Sequence, residues 1–114
     1  MYEVRKTIEI AGAHCLELNY PSKCTNLHGH NWKITVVCRS KELNESGMVV
    51  DFTEIGRVVK ELDHKNLNDY VPQPTAENIA RWICEQITSC KRVEIYESEG
   101  NLAIYEAEED PESE

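Results

Sequence analysis

Cys24 and the triplet His28-Gly29-His30 bring a thiol and two imidazoles into one short stretch, and no other segment concentrates so much reactive chemistry. The triplet runs into Trp32-Lys33-Ile34-Thr35-Val36-Val37, where apolar and polar residues alternate as on a half-buried strand. Residues two apart on a strand share a face, so both imidazoles can converge on one point. Two neutral imidazoles on one side begin a zinc site, and a nearby thiol offers a further ligand or a reactive group. Taken alone, the triplet reads equally well as a turn carrying two surface histidines.

A third histidine favours the metal. His14 ends a segment, Tyr2 to Ile10 and onward, in which Val4, Ile8 and Ile10 alternate with Glu3, Arg5 and Glu9. If the two strands form a hairpin across the polar loop from Leu16 to Leu27, His14 lands beside His28 and His30. Parity agrees, because His14 shares a face with Ile8 and Ile10, and His30 shares one with Trp32 and Ile34. Three histidines without a fourth protein ligand describe a catalytic zinc site with one open position. Structural zinc sites close with four ligands and are rich in cysteine, which fits this pattern less well.

The remaining composition narrows the setting. Five cysteines (Cys15, Cys24, Cys38, Cys84 and Cys90) form no CxxC pair, and an odd number leaves one thiol free within a monomer. Cys38 and Cys84 fall on apolar positions of a strand and a helix and read as small packing residues. The sequence shows no signal peptide, membrane-spanning run or basic amphipathic anchor, so a cytoplasmic setting is expected. The net charge is −9, but six acids lie between Glu106 and Glu114, leaving −3 for the rest. An acidic chain without a basic stripe argues against direct nucleic-acid binding. The length of 114 residues suits one domain, expected over residues 1–106, with a solvated acidic tail over 107–114.

The elements that must position these groups follow from periodicity. Asp51 and Glu54 open a helix with a near capping box, and Ile55, Val58, Val59 and Leu62 make its apolar face. A polar break from Asp63 to Asp69 ends it. Thr75 is the expected N-cap of a second helix whose buried side carries Ile79, Trp82, Ile83 and Ile87. Strands from Arg92 to Glu97 and Leu102 to Tyr105 follow, joined through Glu99-Gly100-Asn101. The order β-β-α-α-β-β predicts an α+β layer, a four-stranded antiparallel sheet with both helices on one face. Glu97 continues the apolar parity of Val93 and Ile95. It is either a strand-end glutamate turned out to water or a buried carboxylate that needs a partner or a ligand with donors. Asp63-His64 is likewise either loop polarity or an oriented imidazole.

The set Ala13-His14, Cys24-x-x-x-His28-Gly29-His30, Gly47-Met48-Val49-Val50-Asp51-Phe52, Leu62-Asp63-His64-Lys65-Asn66-Leu67-Asn68, Pro74-Thr75-Ala76-Glu77-Asn78 and Glu97-Ser98 resembles the 6-pyruvoyltetrahydropterin synthase family. The motifs run in family order from about residue 4 to residue 106. Within the family the chain is most similar to the 6-carboxy-5,6,7,8-tetrahydropterin synthases of the queuosine pathway. Those place three residues between the cysteine and the His-Gly-His, as Thr25, Asn26 and Leu27 do here, whereas pyruvoyl-forming members place five. Members with glutamate at the cysteine position cleave the side chain differently, and Cys24 departs from them. Ile10, Gly12 and Ser98 depart from residues common in the family; Ile10 and Gly12 bear on the pocket wall.

The resemblance implies the tunnelling fold, with subunits closing a barrel as trimers and two trimers stacking. It implies zinc held by His14, His28 and His30, Cys24 as the proton-abstracting base, and His64 oriented by Asp63 as a proton relay. It implies Glu97 as the pterin anchor, because a carboxylate accepts from two parallel ring donors at once. Thr75 and Glu77 sit where the family makes further pterin contacts, and both also read as helix-start residues. The implied substrate is 7,8-dihydroneopterin triphosphate, losing triphosphate and acetaldehyde to leave 6-carboxytetrahydropterin. Lys23, beside Cys24, is either a triphosphate contact or an ordinary loop lysine.

Overall fold

Alternation over most of their length carries the first two strands further than the apolar runs alone suggest. In the computed structural model, which describes residues 1–108, β1 (Tyr2–His14) and β2 (His28–Ser40) each span 13 residues. They pair antiparallel without a slip from Tyr2↔Ser40 to His14↔His28. One face of this ribbon buries Ile8, Ile10, Trp32, Ile34 and Val36, and the parity that buries them also turns His14 inward. The other face carries Glu3, Arg5, Thr7 and Glu9 and stays exposed.

Both helices cover the buried face. Helix α1 (Phe52–Lys60) starts on Asp51, whose carboxylate accepts from the Thr53 N–H at 2.8 Å. Glu54 does not reach back to complete a capping box; it binds the Arg57 guanidinium at 2.6 Å, one turn on. Ile55, Val58, Val59 and Leu62 are buried as their spacing predicts. Helix α2 (Ala76–Glu85) is capped by Thr75, whose hydroxyl accepts from the Asn78 N–H at 3.1 Å. Ile79, Ile83 and Ile87 enter the core, while Trp82 stays half-buried and meets Tyr70 edge-on.

Among the described residues the sheet has five strands rather than the expected four. Beyond β1 and β2, a two-residue strand, β3 (Lys65–Asn66), pairs in parallel with Gly12 and Ala13 of β1. β4 (Cys90–Ser98) pairs with β2, and β5 (Asn101–Glu106) pairs with β4, giving the order β3-β1-β2-β4-β5. β3 is too short for any alternation to announce it, and it exists because the free edge of β1 offers unpaired backbone groups. Glu99 and Gly100 form the tight link between β4 and β5, and Gly100 has φ +84°, a conformation open to a residue without Cβ. Among the described residues no helix is long and apolar enough to cross a membrane. The acidic tail expected over 107–114 lies, beyond Glu108, outside the described residues.

Candidate active site

The register His14↔His28 brings the three imidazoles together at one end of the β1–β2 ribbon. Their ring centroids lie 4.6, 5.1 and 4.9 Å apart for the pairs 14–28, 14–30 and 28–30. One ring nitrogen from each falls within 4.8 Å of the others, an arrangement that could hold a metal ion. Trp32, two residues past His30, closes one wall, with ring centroids 4.9 Å from His14 and 5.3 Å from His30. Its indole N–H donates to the Gly12 carbonyl at 3.1 Å. The backbone of Gly12 approaches closely there: a Cβ would meet Leu67 side-chain carbons and the indole nitrogen at 3.2 Å, closer than ordinary contact.

Hydrogen bonds orient two of the three rings. His14 Nδ1 lies 2.7 Å from the Pro74 carbonyl, and His28 Nδ1 lies 2.6 Å from the Asn26 carbonyl. A carbonyl can only accept, so both rings donate from Nδ1, and the neutral form of each then presents a bare Nε2. Such a carbonyl behind the ring is the usual support of a metal-ligating histidine. His14 is 1 % exposed, and its Nε2 is buried without a partner, as is His30 Nε2. A buried acceptor left unpaired costs about 1–3 kcal/mol, and an ion at the centre would satisfy both. Burial holds the His30 pKa below the ordinary histidine value, with Glu97 opposing and His14 and His28 adding to the lowering. The lowering favours the neutral imidazole, the form that can ligate a metal.

Glu97, on β4, stands 3.6 Å from His30 Nε2, too far for a hydrogen bond. It is half-buried, and among the described residues its carboxylate accepts no hydrogen bond of ordinary length. With Ala76, Glu77 and Asn101 it lines a cavity of about 420 Å³ between the α2 N-terminus and the β4–β5 hairpin. Glu77 therefore shares a cavity with Glu97, whereas the Thr75 hydroxyl is engaged as the helix cap.

Asp63 and His64 sit on the far edge of β1. Asp63 Oδ1 accepts from the Ala11 N–H at 2.9 Å and lies 3.0 Å from His64 Nδ1. The Ala11 bond first, and the nearby imidazole next, hold the Asp63 carboxyl below the usual carboxylate range. His64 adopts φ +59° and its side chain is 81 % exposed, so this imidazole faces outward. His64 and His30 line one cavity of about 570 Å³. Cys24 lies on a 3₁₀ turn (Lys23–Thr25), half-buried. Among the described residues no hydrogen bond or ring contact joins its thiol to the histidines, and it lines neither cavity. Sequence reasoning missed Pro74 and Asn26, whose contributions are backbone carbonyls without a side-chain signal, and Trp32 as the wall beside two of the imidazoles.

Comparison with known proteins agrees with this geometry. The family described as 6-pyruvoyl tetrahydropterin synthase matches residues 3–108. A Pyrococcus horikoshii protein named "Putative 6-carboxy-5,6,7,8-tetrahydropterin synthase" is 37% identical over 111 residues, covering 71% of this chain and 70% of its own. A Pyrococcus furiosus dihydroneopterin monophosphate aldolase is 46% identical over 65 residues, covering 54% of this chain and 55% of its own. The solved 6-pyruvoyl tetrahydropterin synthase of Caenorhabditis elegans superposes with a TM-score of 0.74 at 26% identity, covering 94% of this chain and 96% of that one. A fold of two helices on one sheet, a triad of inward-facing imidazoles and a match along almost the whole described chain place this protein in the 6-pyruvoyl tetrahydropterin synthase family of lyase-type pterin synthases.

Proposed function

We propose that the protein converts 7,8-dihydroneopterin 3'-triphosphate to 6-carboxy-5,6,7,8-tetrahydropterin, with zinc as the metal, in the synthesis of 7-deazaguanine (queuosine) precursors. The observation that carries the reading is the triad itself, with His14 and His28 oriented by carbonyls, the Nε2 atoms of His14 and His30 buried, and one ring nitrogen of each of the three within 4.8 Å of the others. An imidazole-only set suits zinc and leaves one position open. Zinc there supplies a Lewis acid toward the hydroxyls of the pterin side chain, making them and the adjacent C–H more acidic. The three-residue spacing from Cys24 to His28 supports the carboxy-forming reaction.

The chain's own residues supply the rest. Glu97 accepts from the pterin ring N–H and 2-amino group, which answers the absence of a donor for its carboxylate among the described residues. Glu77 borders the same cavity, and Thr75 fixes the start of the helix that forms its wall. Cys24, as the thiolate, removes the side-chain proton, and His64, oriented by Asp63, exchanges protons with solvent. Water enters, triphosphate and acetaldehyde leave, and the ring is reduced at the expense of the side chain, so no external redox cofactor is consumed. Release of one acetaldehyde per substrate tests the reading, because a pyruvoyl-forming synthase keeps all three side-chain carbons. An aldolase-type cleavage is the second reading, favoured by the 46% identity to the aldolase over 65 residues.

Replacing Glu97 with alanine is expected to weaken pterin binding by about 1–3 kcal/mol, since two ring donors lose their acceptor in a desolvated site. Fluorescence titration with neopterin should show Kd rising roughly 5- to 150-fold, and an unchanged Kd would remove Glu97 as the anchor. Assembly follows from the sheet edges. β5 has an open outer edge with Leu102 and Ile104 exposed, and β1 is uncovered except where β3 and the residues around it pair. Pairing such edges between subunits removes an aggregation liability, so a trimer or a dimer of trimers is expected, with active sites at the interfaces. Sedimentation showing a stable, fully active monomer would contradict this assembly.

A further inference from the structure

The outer edge of β1 continues past His14, paired not by a strand but by side chains. Alternate residues of an extended chain turn their N–H and C=O to the same side. At Ala11 the N–H goes to Asp63 Oδ1 at 2.9 Å and the carbonyl accepts from the His64 N–H at 2.6 Å. Ala13 lies opposite Asn66 of β3. At Cys15 the Asn68 amide takes over: its oxygen accepts from the Cys15 N–H and its nitrogen donates to the Cys15 carbonyl, both at 2.9 Å. At Glu17 the Gln73 amide repeats the pattern, accepting from the N–H at 3.0 Å and donating to the carbonyl at 2.7 Å. A primary amide presents donor and acceptor side by side, as a neighbouring strand would.

Leu16, between these two clamps, turns its N–H the other way and donates it to the Cys24 carbonyl at 2.9 Å. The Cys24 N–H in turn donates to Ser22 Oγ at 3.1 Å. Both backbone groups of Cys24 are thus held, one of them by a residue fixed on either side by an amide. Asn68 is itself anchored: Leu67 is fully buried, and the Asn68 N–H donates to Asn66 Oδ1 at 3.1 Å. Cys24 has no side-chain hydrogen bond among the described residues, so its placement depends on this backbone path.

We infer that Asn68 and Gln73 are positioning residues for Cys24, holding residues 15–17 as a side-chain-paired extension of β1 against which the thiol-bearing turn is registered. The inference rests on Cys24 being the reactive base. Misplacing a reacting group by about 1 Å can lower a rate about 100-fold.

The test uses the full-length protein with Asn68→Ala, Gln73→Ala and Gln73→Glu. Trypsin cleaves after Lys23 and Lys33, so Cys24 falls on a different peptide from Cys15 and its alkylation by iodoacetamide can be timed by mass. Both alanine variants should keep the metal content of the wild type while Cys24 alkylation speeds up about threefold or more, because the turn is less confined. On dihydroneopterin triphosphate, kcat should fall about 10-fold or more with KM within about twofold, a split that a general loss of fold would not give. Gln73→Glu keeps the acceptor for the Glu17 N–H and loses the donor, and should fall between wild type and Gln73→Ala. If Asn68→Ala does not fold, Gln73→Ala decides, since among the described residues the Gln73 side chain makes only the two bonds to Glu17. Unchanged Cys24 alkylation and kcat in a folded Gln73→Ala protein would overturn the inference. A wild type without turnover that still shows the alkylation contrast would contradict the enzymatic reading and leave the positioning role standing.

Discussion

Replacing Cys24 with alanine is expected to lower kcat by at least about 10²–10⁴-fold, the usual contribution of a positioned acid or base. Zinc content and the Kd for neopterin should stay near wild type. The reason is the division of labour at the site: the imidazoles of His14, His28 and His30 meet without the thiol, and Glu97 stands beside His30 on a different strand. In the proposed mechanism Cys24 holds neither the metal nor the ring, so its loss should remove chemistry and spare binding. Glu97→Ala gives the opposite pattern, with binding lost first. Near-normal turnover by Cys24→Ala would make the proposed mechanism wrong. Equal loss of pterin binding in both variants would leave the family assignment intact and break the division of roles.

Stripping the metal with a chelator is expected to abolish turnover and to lower Tm on the order of 10 °C, because an ion bound about 1,000-fold above its Kd stabilises the native state by about 4 kcal/mol. One zinc per subunit should restore both. The structural reason lies in His14, 1 % exposed with an orphaned Nε2, which without an ion keeps a buried acceptor unsatisfied. His14→Ala should not be rescued by the same zinc concentration. Zinc-edge absorption should show nitrogen and oxygen scatterers near about 2.0–2.1 Å; a sulfur at about 2.3 Å would make Cys24 a ligand rather than a free base. An apo protein with unchanged Tm and full turnover would contradict the metal's role.

How much of this was legible in the sequence depended on whether a feature expresses itself through side-chain periodicity. His14 could be placed beside His28 and His30 because it shares parity with Ile8 and Ile10, and the same alternation extends β1 to His14 itself. The buried faces of α1 and α2 followed in the same way, as did the caps at Asp51 and Thr75. β3 was not legible, since Lys65 and Asn66 carry no pattern and their pairing is dictated by the open edge of β1. Glu54 matched a capping box by spacing, but Arg57 one turn later offers a charged partner, and the ion pair forms instead. Pro74 and Asn26 orient two imidazoles through carbonyls that every residue possesses, so no residue type announces them. The surroundings of Cys24 depend on a 3₁₀ turn and two distant amides, Asn68 and Gln73, whose partners lie more than fifty residues away in sequence.

The mass of the pterin product tests the identity of the reaction most directly. The zinc-loaded protein incubated with 7,8-dihydroneopterin triphosphate should yield a tetrahydropterin carrying a single carboxyl carbon at C6, with acetaldehyde in equal amount. A product retaining all three side-chain carbons as a pyruvoyl group, or a dihydropterin cut to a hydroxymethyl group, would contradict it.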